Sequence, residues 1–158
     1  MSGHGGRWAL LAYRLPREPS TPRIALWRKL KRLGVVQIGD GLVGLPLDSR
    51  TREALEWVAE EVLEAGGEAA IWLAASPSRR QERELASRMA EAIAAEYRAV
   101  AEAAHGVARE SPAVCRRTLA RLRRELQRIR RRDFFPPPER QQAEEAVEAL
   151  AQALEVAA

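Results

Sequence analysis

The chain has one cysteine (Cys115), two histidines (His4 and His105) and two lysines (Lys29 and Lys31). One cysteine excludes an intramolecular disulfide framework and any cysteine-cluster zinc site. Two histidines leave little material for metal chemistry, so neither a metal nor another cofactor is expected. No apolar run approaches the ~18 residues of a membrane span. Met1 to Gly6 lacks the basic-then-apolar pattern of a signal peptide, which leads us to expect a cytoplasmic protein with no membrane partner. His4 lies in this glycine-rich leader, and His105 near Gly106 suits a surface or packing role.

The chain holds 158 residues, 46% of them hydrophobic and 30% charged, enough for one domain, or a small domain with an appendage, and too apolar for wholesale disorder. Its 26 basic and 22 acidic residues give +4, and the distribution says more than the total. Residues 7–32 and 116–132 are strongly basic, whereas residues 139–158 are acidic. Such blocks point to an anionic partner, to an internal contact between basic and acidic helices, or to both. The preference for arginine over lysine suits phosphate recognition, and a GC-rich genome produces it equally well.

Two textures divide the chain. Residues 7–75 alternate short strands and helices. Trp8 to Leu15, ended by Pro16, reads as a buried strand. Ser20-Thr21-Pro22 reads as a helix start with a hydroxyl cap, followed by Ile24, Leu26, Trp27, Leu30 and Leu33 on one arc and Arg28, Lys29 and Arg32 on the other. Gly34 supplies the stop. Val35 to Ile38 and Leu42 to Leu45 flank Gly39-Asp40-Gly41 as a hairpin whose glycines take positive φ. Asp48 or Ser49 caps a second helix carrying Leu55, Val58, Ala59, Val62 and Leu63. Gly66-Gly67 ends it, and Glu68 to Ala74 is the fourth strand. This βαββαβ order predicts an α+β fold: a ferredoxin-like antiparallel sheet with both helices on one face.

Residues 78–156 read as a helical appendage, with helices at 78–109, 112–132 and 139–156. Their apolar positions include Leu85, Met89, Ala92, Ile93, Tyr97, Val100 and Ala104, then Cys115, Leu119, Leu122, Leu126 and Ile129, then Ala143, Val147, Leu150 and Leu154. Each is a narrow seam, so the helices should pack on one another or on a second copy.

Chemistry-bearing candidates are few. A base-stacking sheet needs aromatics on its central strands; the third strand, Leu42 to Pro46, has none, and Trp8 and Tyr13 point to opposite faces. A metal nuclease needs a carboxylate at the end of strand one, which ends instead in Tyr13-Arg14-Leu15. Asp40 fits a turn role. Cys115 sits in a packing seam, which suits an inert core thiol, although Arg116 and Arg117 beside it favour a thiolate. An oxyanion-binding reductase would lack a nucleophile pair and a cofactor motif, so no enzyme is expected. Trp8, Trp27, Trp57 and Trp72 all fall within the first 75 residues and suit core or interface packing.

Trp8 to Ser20, the run Arg23-Ile24-Ala25-Leu26-Trp27-Arg28-Lys29-Leu30-Lys31-Arg32-Leu33-Gly34, the hairpin Asp40 to Pro46, Glu53 to Val58 and Arg132-Asp133-Phe134-Phe135 together resemble the N-terminal domain of the chromate-resistance protein ChrB. A weaker similarity runs to the Cas2-like domain of PaaX-type repressors, which shares the ferredoxin-like order but follows a winged-helix module that does not precede Trp8 here. The resemblance implies a transcriptional regulator of chromate resistance whose basic residues contact operator DNA. ChrB proteins continue past the position of Ala158, so a response to chromate is not carried over, and a separately encoded partner chain could supply the missing part.

We therefore expect a DNA-binding regulatory protein holding phosphates through Arg14, Arg17, Arg23, Arg28, Lys29 and Arg32, and through Arg116, Arg117, Arg121, Arg124, Arg128 and Arg131. The alternative is a homodimeric interaction module. In it, Trp8 or Trp72 anchors the open sheet face, and the C-terminal helix neutralises the basic one through Glu139, Glu144, Glu145 and Glu148.

Overall fold

The computed structural model of the chain describes residues 6–158, so His4 lies outside the described residues. The element order is β1 (Arg7–Arg14), α1 (Thr21–Leu33), β2 (Val36–Gly39), β3 (Leu42–Pro46), α2 (Ser49–Glu64), β4 (Glu68–Ala75), α3 (Arg79–Gly106), α4 (Pro112–Arg131) and α5 (Glu139–Ala157). Two compact units meet within α3, at Arg88/Met89. Arg88, the last residue of the first unit, donates a hydrogen bond to the Gln37 carbonyl of β2.

The first unit is a mixed α/β structure on a four-stranded antiparallel sheet of order β2-β3-β1-β4. Strand periodicity decides its faces. Ala9 pairs with Leu45 and Leu11 with Val43, all four are buried, and α2 packs on β1, β3 and β4 with Leu55, Val58 and Val62 buried. On the opposite face Leu10 registers with Gly44 and Trp72. A methyl group at Gly44 would press on the ends of the Leu10 and Ile38 side chains, which would have to shift to admit it.

Local signals hold at some termini and fail at others. Asp48, not Ser49, caps α2, accepting from the Thr51 amide at 2.7 Å while the Thr51 hydroxyl accepts from the Asp48 amide. Gly34 ends α1 in the left-handed conformation. Ser20, however, makes no side-chain cap hydrogen bond. In the hairpin only Gly41 takes positive φ; Gly39 instead lies at a register shift in β2. The expected arc of α1 is also narrower. Only Leu26 and Leu30 are buried, because Ile24 falls ~160° and Trp27 ~100° around the helix from Leu26. Trp8 is core, 4% exposed, and therefore cannot anchor a dimer, whereas Trp72 is 62% exposed on the edge strand β4.

The second unit is a three-helix core. Ile93, Tyr97, Val100 and Ala104 of α3 meet Cys115, Leu119, Leu122, Leu126 and Ile129 of α4 and Ala143, Ala146, Val147, Leu150 and Ala151 of α5. Ala92, expected in this seam, is exposed. Ser111 caps α4 by accepting from the Val114 amide, with Pro112 opening the helix. No helix among the described residues is long and apolar enough to cross a membrane.

Candidate nucleic-acid interface

The strongest concentration of like charge is on α4. Its apolar positions recur at 4-3-4-3 steps and are buried throughout, which fixes the helix's rotation and leaves the remaining positions facing outward. Arg117, Arg121, Arg124, Arg128 and Arg131 repeat the same 4-3-4-3 spacing. At ~100° per residue they lie within about 60° of the direction opposite the core and form a stripe ~21 Å long. All five are exposed. Arg121 lies 3.4 Å from Glu125 of its own helix, and the other four form no ion pair among the described residues. Arg116, on the flank, likewise forms no ion pair among the described residues.

The acidic α5 does little to offset this charge. Arg130 reaches Glu144 at 3.0 Å, and Arg132 makes a bidentate contact with Glu96 of α3 at 2.6 and 2.9 Å. Glu139 is taken by Arg98 of α3 at 2.8 Å, not by α4. Glu145 accepts from Gln141 of its own helix, and Glu148 forms no ion pair among the described residues. The expected neutralisation of α4 by α5 thus reduces to the single pair Arg130–Glu144. Burial pushes the Glu144 carboxyl up, but hydrogen bonds from Arg140 and Arg130 outweigh it and hold the group below its ordinary value.

Past the end of α4, Tyr97, Asp133 and Arg140 form a network at the junction with α5. The Tyr97 hydroxyl donates to Asp133 Oδ2 at 2.7 Å. The same oxygen lies 3.5 Å from Arg140, and the Asp133 side chain is fully buried. Burial, and then the hydrogen bond and charge of Asp133, push the Tyr97 phenol above its ordinary range.

The cations expected to act together in the first unit fall into three settings. Arg14, Arg23 and Arg28 line a groove of about 1080 Å³ beside α1 and the β2–β3 hairpin, together with Lys31. Arg17 and Arg32 are exposed outside it, and Lys29 forms an ion pair with Glu61 of α2. Sequence reasoning missed Lys31 and the aromatic side chains Tyr13 and Trp27 in this groove. The available signal was angular: Ile24, Trp27, Arg28 and Lys31 share one side of α1, away from Leu26 and Leu30. Among the described residues no three His, Cys, Asp or Glu side chains cluster as metal ligands. Cys115 is buried with its Sγ 3.0 Å from the Val107 carbonyl oxygen.

A family model described as the N-terminal part of protein ChrB matches residues 23–109, more than half of the chain. The match runs from α1 to just beyond α3, so the β1 run and residues 132–135 lie outside it. No curated protein and no solved structure matches.

Proposed function

The chain belongs to the ChrB N-terminal family, and we propose that it serves a regulator of chromate resistance by holding the phosphate backbone of DNA, without catalysing a reaction. The observation that carries this reading is the outward stripe Arg117, Arg121, Arg124, Arg128 and Arg131, whose only carboxylate partner among the described residues is Glu125. Guanidinium groups one helical turn apart repel one another, and an array of phosphates relieves that repulsion while releasing counterions. Arginine forks suit phosphate oxygens. The contacts are to backbone, so they position the duplex rather than read its bases. Arg116 extends the stripe along its flank, and Arg14, Arg17, Arg23, Arg28 and Arg32 add long-range attraction from the first unit. Lys29, tied to Glu61, contributes least. The strand order β2-β3-β1-β4 supports reading that unit as ferredoxin-like, and the DNA-binding role would be exercised in the cytoplasm.

The test is titration of a labelled duplex at low salt with the whole chain and with Arg124→Glu/Arg128→Glu. Binding by the first and its loss in the second is expected; no binding by the unaltered chain ends the reading.

A second reading, a homodimer joined through β4, is favoured by Trp72 and Leu73, 62% and 50% exposed on an edge strand. Sedimentation separates the two: a dimer indifferent to duplex DNA favours this one.

A further inference from the structure

The groove of the first unit is not required by the α4 stripe. It is walled by α1 on one side and by the end of β1 and the β2–β3 hairpin on the other. Arg14, Arg23, Arg28 and Lys31 place four positive charges around it, against the single carboxylate of Asp40. None of the four cations forms an ion pair among the described residues; Lys31 instead sits 5.8 Å from the centroid of the Trp27 ring. Trp27 is drawn off the buried arc of α1 and left 36% exposed, facing this space. Tyr13 stands on the β1 wall, and burial there pushes its phenol up, with Arg23 near enough to oppose the shift. The Ser20 hydroxyl, released from capping α1, also lines the groove.

Size and lining together narrow the ligand. A volume of about 1080 Å³ slightly exceeds the ~300–1,000 Å³ range of small-molecule sites and lies far beyond what a lone tetrahedral oxyanion fills. Unpaired guanidinium groups call for phosphate oxygens. An exposed indole on the α1 wall and a phenol on the β1 wall call for a planar ring, since stacking on aromatics is how bases are held without sequence preference. Asp40 and Gln37 remain to accept or donate hydrogen bonds at a base edge or sugar hydroxyl.

We propose that this groove binds a nucleotide, with the phosphate on Arg14, Arg23 and Arg28 and the base against Trp27. The chemistry is shared by a free nucleoside phosphate and by the end of a single strand. The site is independent of the duplex contact on α4.

Calorimetric titration of the whole chain tests it with four probes: adenosine diphosphate, inorganic pyrophosphate, adenosine and a 5′-phosphorylated four-nucleotide single strand. Adenosine diphosphate is expected to bind about tenfold more tightly than pyrophosphate, with adenosine weakest. Arg23→Gln/Arg28→Gln weakens it by about tenfold or more. Trp27→Leu, which keeps an apolar side chain at a half-open position, removes the advantage over pyrophosphate but leaves pyrophosphate binding unchanged. Circular dichroism confirms that each variant is folded. If the oligonucleotide outcompetes adenosine diphosphate and shows the same losses, the natural source is a strand end; if not, it is a free nucleotide. Arg124→Glu/Arg128→Glu retains nucleotide binding even where it loses duplex DNA, so the two readings fail separately. Equal affinity for adenosine diphosphate and pyrophosphate, no binding of either nucleotide probe, or indifference to Trp27→Leu overturns the proposal.

Discussion

Arg130 Nη2 lies 3.0 Å from Glu144 Oε1, and among the described residues no other arginine of α4 forms an ion pair with α5. That carboxylate also takes the Nε of Arg140 at 3.1 Å, so one acid serves two guanidinium groups. Glu144 is thus the one α5 carboxylate that reaches an arginine of α4 among the described residues, while Glu145 and Glu148 line the same groove as Arg123 without pairing with it. Net charge along a sequence does not reveal this, because pairing depends on which arcs of two helices face each other.

Glu144 makes this contact sensitive to acid. Its folded-state pKa lies below the ordinary 4.5, so the contribution is present above that value and is lost as pH falls through the folded pKa. Urea unfolding between pH 7 and pH 3 should show a steeper loss of stability in the unaltered chain than in Glu144→Gln. Parallel curves would contradict the assignment.

Tyr97→Phe should destabilise the second unit by about 1–3 kcal/mol, because Asp133 loses a hydrogen bond inside a fully buried site. Tyr97 titrates above the ordinary 10.0 when folded. Its stabilising contribution is complete below pH 10 and disappears as pH rises toward the folded value. Chemical denaturation at pH 8 and above pH 10 should therefore show a smaller alkaline loss in Tyr97→Phe.

Gly41→Ala tests the hairpin. Gly41 has φ +68°, and a Cβ there would collide with the Tyr13 carbonyl oxygen, while the Tyr13 amide donates to the Gly41 carbonyl at 2.8 Å. A cost of about 1–3 kcal/mol is expected in thermal or urea unfolding. An unchanged midpoint would show that the turn relaxes freely.

The order of elements was legible because hydrophobic period, capping residues and glycine stops agree through most of the chain. Asp48, Gly34, Gly66 and the α4 seam from Cys115 to Ile129 each stand where their local chemistry places them. Ser20 misled, since a hydroxyl before Thr21-Pro22 can cap only if its backbone is extended, and here it is helical. Ile24 and Trp27 misled because apolarity was read without the angle between positions. The stripe on α4 was visible as a run of arginines, but its freedom from α5 depended on tertiary contacts. The groove was less visible still: it joins the end of β1 to α1 and a hairpin, and no sequence spacing encodes that approach.

Cys115 should be inert in the folded chain, because its thiol is buried and directed at the Val107 carbonyl. A thiol reagent is expected to label it only on unfolding in denaturant. Rapid labelling of the native protein would contradict this.

The most direct measurement is the salt dependence of duplex binding, followed by anisotropy, for the unaltered chain and for Arg117→Ala/Arg124→Ala/Arg128→Ala/Arg131→Ala. Removing four phosphate contacts should weaken binding to unrelated duplexes about equally and flatten the slope of log K against log salt by roughly 3 to 4. An unchanged slope in the fourfold variant would contradict the account.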